Sequence, residues 1–272
     1  MYAGTTLSRS SGRIVGVHQK IDRVARRQLN KYISKSLDFP NIKDILHFEG
    51  VNGPDSIKHM NPSQDEPWYF IDPTNPDDHE LLTIIYDRMV NLAEAIKENN
   101  NVRASFEAAW LAHTVVDGLT PAHHYPLGEK IEELWGRPRK DRAGIKDKNI
   151  IRGISKKDTI LKNWEYWGAG GVFTAHIMFE LGIASAIATD KFKTSGPTDY
   201  DIARLRTDGF EPLFRESLQK IYGLQMYDEF TKKGWTRHLA TKTRRALIPE
   251  IIKVVTLAWF KSTIMAEESL SV

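Results

Sequence analysis

The segment His113-Thr-Val-Val-Asp117-Gly-Leu-Thr-Pro121-Ala-His123 carries the strongest chemical signal in the sequence. A spacing of four puts His113 and Asp117 on one face of a helix, about a turn apart, so an imidazole nitrogen and a carboxylate oxygen can share one cation. Gly118 and Pro121 then end the helix and fold the chain back, which lets His123 approach from another direction, as a closed coordination polyhedron requires. A second pair, His176-Ile-Met-Phe-Glu180, repeats the spacing in the most apolar stretch of the chain. An ionised glutamate there is costly unless it is paired or bound to metal. Either pair alone could be a hydrogen-bonded His–carboxylate couple facing a solvent-filled gap. Together they argue for metal, because independent core histidines rarely sit beside carboxylates on otherwise apolar faces. With no cysteine in the sequence, any such ion must be held by His, Asp and Glu.

Two further residues could join them. His18 lies beside Val17 and Ile21 on a periodic stretch, where a lone histidine is ordinarily a satisfied core residue. Asp55 sits in Gly50-Val-Asn-Gly53-Pro54-Asp55, whose glycines and proline can aim a carboxylate inward from a non-helical backbone, or leave it an ordinary turn aspartate.

The elements that must position these residues are helical. Apolar residues from Ile14 to Leu37 recur at three- and four-residue steps and predict a first long helix. Glu80 to Glu98 predicts a second, between the turn-rich Asp72-Pro73-Thr74-Asn75-Pro76-Asp77-Asp78 and Asn99-Asn100-Asn101, and Val102 to Val116 a third. Val172 to Thr189, apolar nearly all round, predicts a buried helix at the centre of the fold. Further helices are expected from Asp199 to Tyr222 and from Thr236 to Glu268, the latter bent or restarted at Pro249. Strand-like alternation is scarce, so the expected fold is all-α, in one domain over residues 1–272. Residues 50–79 and 125–170 read as linker-like.

Composition bounds the rest. With 41% hydrophobic and 27% charged residues the chain is an ordinary globular one, and a net charge of +3 is too small to argue for nucleic acid. The charge is uneven: residues 137–157 hold nine Lys or Arg against two Asp. Such a run reads as a solvated loop, or as an electrostatic collar for an anionic substrate or a membrane surface. Met1 to Ser11 lacks the apolar core of a secretory signal, and no stretch reads as the roughly 18 apolar residues of a transmembrane segment, so the expectation is a cytoplasmic chain unless it was trimmed.

In this order, the residues resemble the zinc-dependent phospholipase C and single-strand-specific nuclease superfamily, an all-helical fold with three zinc ions in a cleft. That family carries an early His, a loop Asp with a His some fourteen residues later, a His-x3-Asp-x5-His motif and a His-x3-Glu pair. The matches are His18, Asp55, His113, Asp117, His123, His176 and Glu180. The helix leading into the motif, Asn99-Asn-Asn-Val-Arg-Ala-Ser-Phe106 before Ala108-Ala-Trp-Leu-Ala-His113, also looks like the family's, so the resemblance runs from about Gly16 to Glu180. It implies two or three zinc ions: one on His123, His176 and Glu180, one on Asp55, His113 and Asp117, and one on His18 with Asp117 shared as a bridge. It further implies phosphate-ester hydrolysis, of a phospholipid head group or a nucleic acid, by metal-activated water with Asp55 as general base.

Three features depart from the family. Its chains begin with a Trp whose amino and carbonyl groups complete the third site, whereas this one starts Met1-Tyr2-Ala3 well ahead of His18. The His expected after Asp55 falls at Tyr69, leaving His59 or His79 to substitute, or the site weakened. Finally, 52 residues separate His123 from His176, an insertion at about 125–170 expected to cover or rim the cleft. The aromatics Trp68, Tyr69, Phe70, Trp164, Tyr166 and Trp167 could line that cleft, for acyl chains or bases, or pack in the core. A single-strand nuclease or nucleotidase, a non-catalytic protein stapled by its metals, and a metal-free helical interaction protein are the competing readings.

Overall fold

The computed structural model describes residues 1, 16–34, 37–50, 52–55, 69–141 and 144–270. The fold is all-α, with no strand among the described residues. In chain order the helices are α1 (Val17–Leu29), α2 (Ile42–Glu49), α3 (Glu80–Lys97), α4 (Asn101–Gly118), a 3-10 turn (Pro121–His124), α5 (Leu127–Trp135), a second 3-10 turn (Arg139–Asp141), α6 (Ile145–Asn149), α7 (Lys156–Trp167), α8 (Val172–Ile187), α9 (Asp199–Asp208), α10 (Phe210–Tyr222), α11 (Met226–Lys233), α12 (Arg237–Lys242), a π turn (Thr243–Leu247) and α13 (Ile248–Leu270).

Local chemistry explains the boundaries. Asn100 caps α4 by accepting from the Arg103 amide, and Asn41 caps α2 by accepting from the amides of Lys43 and Asp44. The first helix is shorter than its periodic run. After Leu29 the chain tightens into three-residue bonds, Lys31 to Gln28 and Tyr32 to Leu29, and Tyr32 and Ile33 reach the core from a turn; Ile14 lies outside the described residues. The stretch from Asp199 to Tyr222 is two helices, because Gly209 takes φ +83°, a conformation that breaks the ladder and that glycine adopts without strain. The C-terminal stretch is not restarted at Pro249: it runs unbroken from Arg237 to Leu270, with a π turn at Thr243–Leu247 just ahead of the proline. Helices α2 and α11 were not read from the sequence at all.

The central helix is α13, with Ile251, Ile252, Val255, Leu257, Ala258 and Trp259 fully buried. It packs on α1, α3, α4 and α10, and the Trp259 indole Nε1–H donates to the Ala108 carbonyl of α4 at 2.9 Å. The sequence pointed instead to residues 172–189. That helix, α8, is half-buried: Phe179, Ile183, Ala184 and Ile187 face the core, while Met178 is 52% exposed. Its uniform apolarity conceals its orientation, and only the neighbours decide which side is covered.

The segment at 125–170 is not a linker. It folds into α5, α6 and α7 with a small apolar cluster of its own, Ile131, Trp135, Ile151 and Tyr166, against which Phe173 of α8 packs. The expectation that no segment approaches a membrane span is also corrected in part. Lys156–Ile187 is long and apolar enough by length and composition, with a mean hydropathy of 1.4 over its best window. Residues 168–171 nevertheless break it into α7 and α8.

Candidate metal centre

Four elements bring the seven sequence-identified residues to one place: α1 supplies His18, the helical Pro54–Asp55 after α2 supplies Asp55 in place of the expected non-helical backbone, α4 and its 3-10 extension supply His113, Asp117 and His123, and α8 supplies His176 and Glu180. The ligand atoms of His18, Asp55 and His113 lie within 4.8 Å of one another, and so do those of His123, His176 and Glu180. Asp117 stands between the groups. Its Oδ1 is 3.3 Å from His18 Nε2 and 4.0 Å from His123 Nε2, and its Oδ2 is 3.2 Å from His113 Nε2.

Met1 completes the constellation. Its buried ammonium pairs with Asp117 and lies 3.4 Å from Glu180 Oε1, and its carbonyl accepts from His18 Nε2 at 2.7 Å. The structure therefore places amino and carbonyl groups at the donor-poor side of the cluster, which the distance in sequence between Met1 and His18 argued against. Burial disfavours the ammonium, but the carboxylates of Asp117, Glu180 and Asp55 outweigh it and push its pKa up to about 10.

The imidazoles are held from behind. His123 Nδ1–H donates to the Tyr69 carbonyl at 2.9 Å, which leaves the lone pair on Nε2. That nitrogen faces Glu180 Oε1 at 3.3 Å, and His176 Nε2 reaches the same oxygen at 3.0 Å. Burial, reinforced by the Met1 ammonium and His176, keeps His123 below its usual pKa despite Asp117 and Glu180. Glu180 is held well below the carboxylate range: burial opposes this, but the Met1 ammonium and His176 prevail. A lone pair and an anionic oxygen thus confront each other, an arrangement that a cation between them resolves.

The other group repeats the design. His113 Nδ1 donates to Glu49 Oε1 at 3.0 Å, and its Nε2, buried and without a hydrogen bond, lies 3.2 Å from Asp117 Oδ2 and 3.4 Å from Asp55 Oδ1. His18 stacks on His113 with ring centroids 4.1 Å apart and planes at 6°. Without metal a proton supplies the charge: burial resists it, but Asp117, Glu49 and Asp55 raise the His113 pKa well above the ordinary value. Asp117 is conversely held well below its usual range, since the Met1 ammonium, His113 and His123 overcome its burial. No family model, curated protein or solved structure matches this chain. Donor type and geometry carry the assignment: two His/carboxylate groups that can each hold a metal ion, joined by Asp117.

Two buried carboxylates were missed from the sequence. Glu49 ends α2 and orients His113, the outer partner that metal-bound histidines usually have. Asp22 is fully buried with neither oxygen hydrogen-bonded, and burial together with Glu49 raises its pKa well above the usual value. Asp22 stands four residues after His18, the same spacing that singled out His113 with Asp117, so this signal was present. Glu49 had no comparable local signal.

The remaining candidates divide. His79 is exposed, accepting from Arg215 at 2.9 Å and lying 3.5 Å from Glu211, so it does not enter the cluster. His59 and Trp68 lie outside the described residues. Tyr69 is buried with its ring centroid 5.7 Å from that of His113, so the position where the resemblance expects a ligand holds a packed phenol. Tyr166 is buried, whereas Trp164 is 70% exposed.

Proposed function

We propose that this chain is a zinc-dependent phosphoric ester hydrolase of phospholipase C type, with the zinc ions held by His18, Asp55, His113, Asp117, His123, His176 and Glu180. The observation that carries the reading is the pair of imidazole Nε2 atoms, on His123 and His113, that face carboxylate oxygens at 3.2–3.4 Å with their Nδ1 atoms already committed. Nitrogen and oxygen donors without sulfur suit zinc. Zinc bound there would supply Lewis acidity, bringing the pKa of a water towards neutrality and offsetting charge on the phosphoryl oxygens.

The chain's own groups do the rest. Asp55 has the most accessible side chain of the seven, 33% exposed, which suits a carboxylate that takes the proton of an attacking water at the mouth of the site. As the water oxygen bonds to phosphorus, the ester P–O bond breaks and the leaving oxygen takes a proton from solvent, so the products are an alcohol and a phosphomonoester. Asp117 and Glu180, both ionised, hold the cations and stay out of proton transfer. A nuclease or nucleotidase would use the same steps; the exposed Met178 of α8 and Trp164 and Trp167 of the adjoining α7 favour the lipid substrate.

A second reading, a non-catalytic protein whose metals staple the fold, is favoured by one observation, the packed Tyr69 ring beside His113. Elemental analysis separates the alternatives when combined with assays on phosphatidylcholine and on single-stranded nucleic acid. Hydrolysis with two or three zincs per chain, and loss in His176→Ala of hydrolysis together with the zinc of the His123 group, is the expected result. Bound zinc without turnover of any phosphodiester would establish the staple, and failure to bind zinc would refute both.

A further inference from the structure

Among the described residues, ten large hydrophobic side chains are exposed, and six of them fall between Ile150 and Trp167. Ile154, just ahead of α7, is fully exposed; on α7, Ile160 and Trp164 are each 70% exposed, with Leu161 at 53% and Trp167 at 42%. Steps of three and four residues align Lys157, Ile160, Trp164 and Trp167 on one side of the helix. The opposite side is the packed one. There Tyr166 stacks on Phe173 of α8 at 5.1 Å, while Trp167, at the border of the exposed side, meets the same ring edge-on at 4.9 Å. Phe173 is three residues before His176, so α7 is anchored one helical turn from a proposed ligand.

This polarity is inverted for a helix in water, whose apolar stripe should face the core. Only 28% of the most apolar window in Lys156–Ile187 is buried. What surrounds the apolar side is mainly basic: Arg137, Lys140, Lys146, Arg152, Lys156 and Lys157 are all exposed, against the exposed acids Asp141 and Glu165. The local acids are partly neutralised, since Asp147 lies 3.9 Å from Arg152 and Asp158 lies 3.7 Å from Lys162. An apolar strip containing Trp, bordered by Lys and Arg, is the composition of helices that lie in the headgroup layer of a bilayer.

We infer that the outer face of α7 and the preceding basic segment form a docking surface for an anionic phospholipid bilayer, which sets the mouth of the metal centre against the lipid headgroups. The charge complementarity selects the occupant: an excess of positive charge has no attraction for a second copy of the same face, whereas each basic residue near an anionic leaflet strengthens binding about fivefold. The inference deepens the lipid reading of the site but does not depend on turnover.

The test is co-sedimentation of the full chain with vesicles of phosphatidylcholine alone and with one-third phosphatidylserine, followed by tryptophan fluorescence. Binding at least tenfold tighter to the anionic vesicles, with a blue shift, is expected. The double variant Ile160→Ser/Trp164→Ser should lose at least tenfold of that binding while melting at the same temperature, since both side chains are exposed. Lys156→Glu/Lys157→Glu should abolish the anionic preference. Glu180→Gln should bind vesicles like the parent while losing hydrolysis, and a parent chain that docks but turns over no phosphodiester refutes only the catalytic reading. Absence of vesicle binding, binding indifferent to the apolar substitutions, or a dimer that the same substitutions dissociate would overturn the proposal.

Discussion

Asp117→Asn is the most informative single substitution, because Asp117 is the side chain that lies between the two halves of the metal centre. The change keeps volume and removes one negative charge from a buried position 3.2–3.3 Å from two imidazole nitrogens. A unit charge about 2 Å from a divalent cation contributes about 17 kcal/mol at an effective dielectric of about 20, most of it offset by desolvation. A net loss of roughly 3 kcal/mol weakens the ion about 100-fold. The ions that depend on Asp117 should therefore dissociate during purification, while His123, His176 and Glu180 keep a complete donor set. Elemental analysis should show zinc falling from two or three per chain to one, with hydrolysis of a phosphodiester reduced at least 1,000-fold, as expected when several kcal/mol of transition-state stabilisation goes. A variant that retained its full zinc content and rate would refute the bridging role of Asp117 and, with it, the two-group description of the site.

Three further outcomes follow from the packing around the centre. Glu49→Gln should weaken metal at the His113 group by about 10–100-fold in a chelator competition, because the imidazole loses its anionic partner; unchanged affinity would show that Glu49 does not orient it. Gly182→Ala places a Cβ 2.3 Å from the Trp235 ring, which cannot move aside as a flexible chain end could. It should cost about 1–3 kcal/mol, read as a lowered melting temperature, and an unchanged melt would mean that the α8–Trp235 contact is loose. Glu229, hydrogen-bonded to His238 and Lys242, has its pKa lowered from 4.5 to about 2. Because the folded state holds the ionised form more tightly than the unfolded chain does, its contribution is complete above pH 4.5 and is lost as pH falls towards 2. Glu229→Gln should flatten the acid limb of the stability curve in that window, and an identical limb would locate the acid sensitivity elsewhere.

What the sequence determined by itself were the features encoded locally. Helix ends follow from capping and turn residues within a few positions, and the pairs His113 with Asp117 and His176 with Glu180 follow from a four-residue spacing that any helix converts into a shared face. The absence of cysteine restricted the donors to nitrogen and oxygen before any fold was known. Three things were decided only by tertiary structure. Met1 enters the cluster although it stands 17 positions before His18, and no local pattern predicts that contact. Glu49 becomes the partner of His113 from 64 positions away, through the packing of α2 on α4. The orientation of α8 was equally hidden, because a helix apolar on all sides takes its buried face from whichever neighbours reach it first. Here Tyr227, Phe230 and Trp235 cover Phe179 on one side, and the other is left open beside the metal centre.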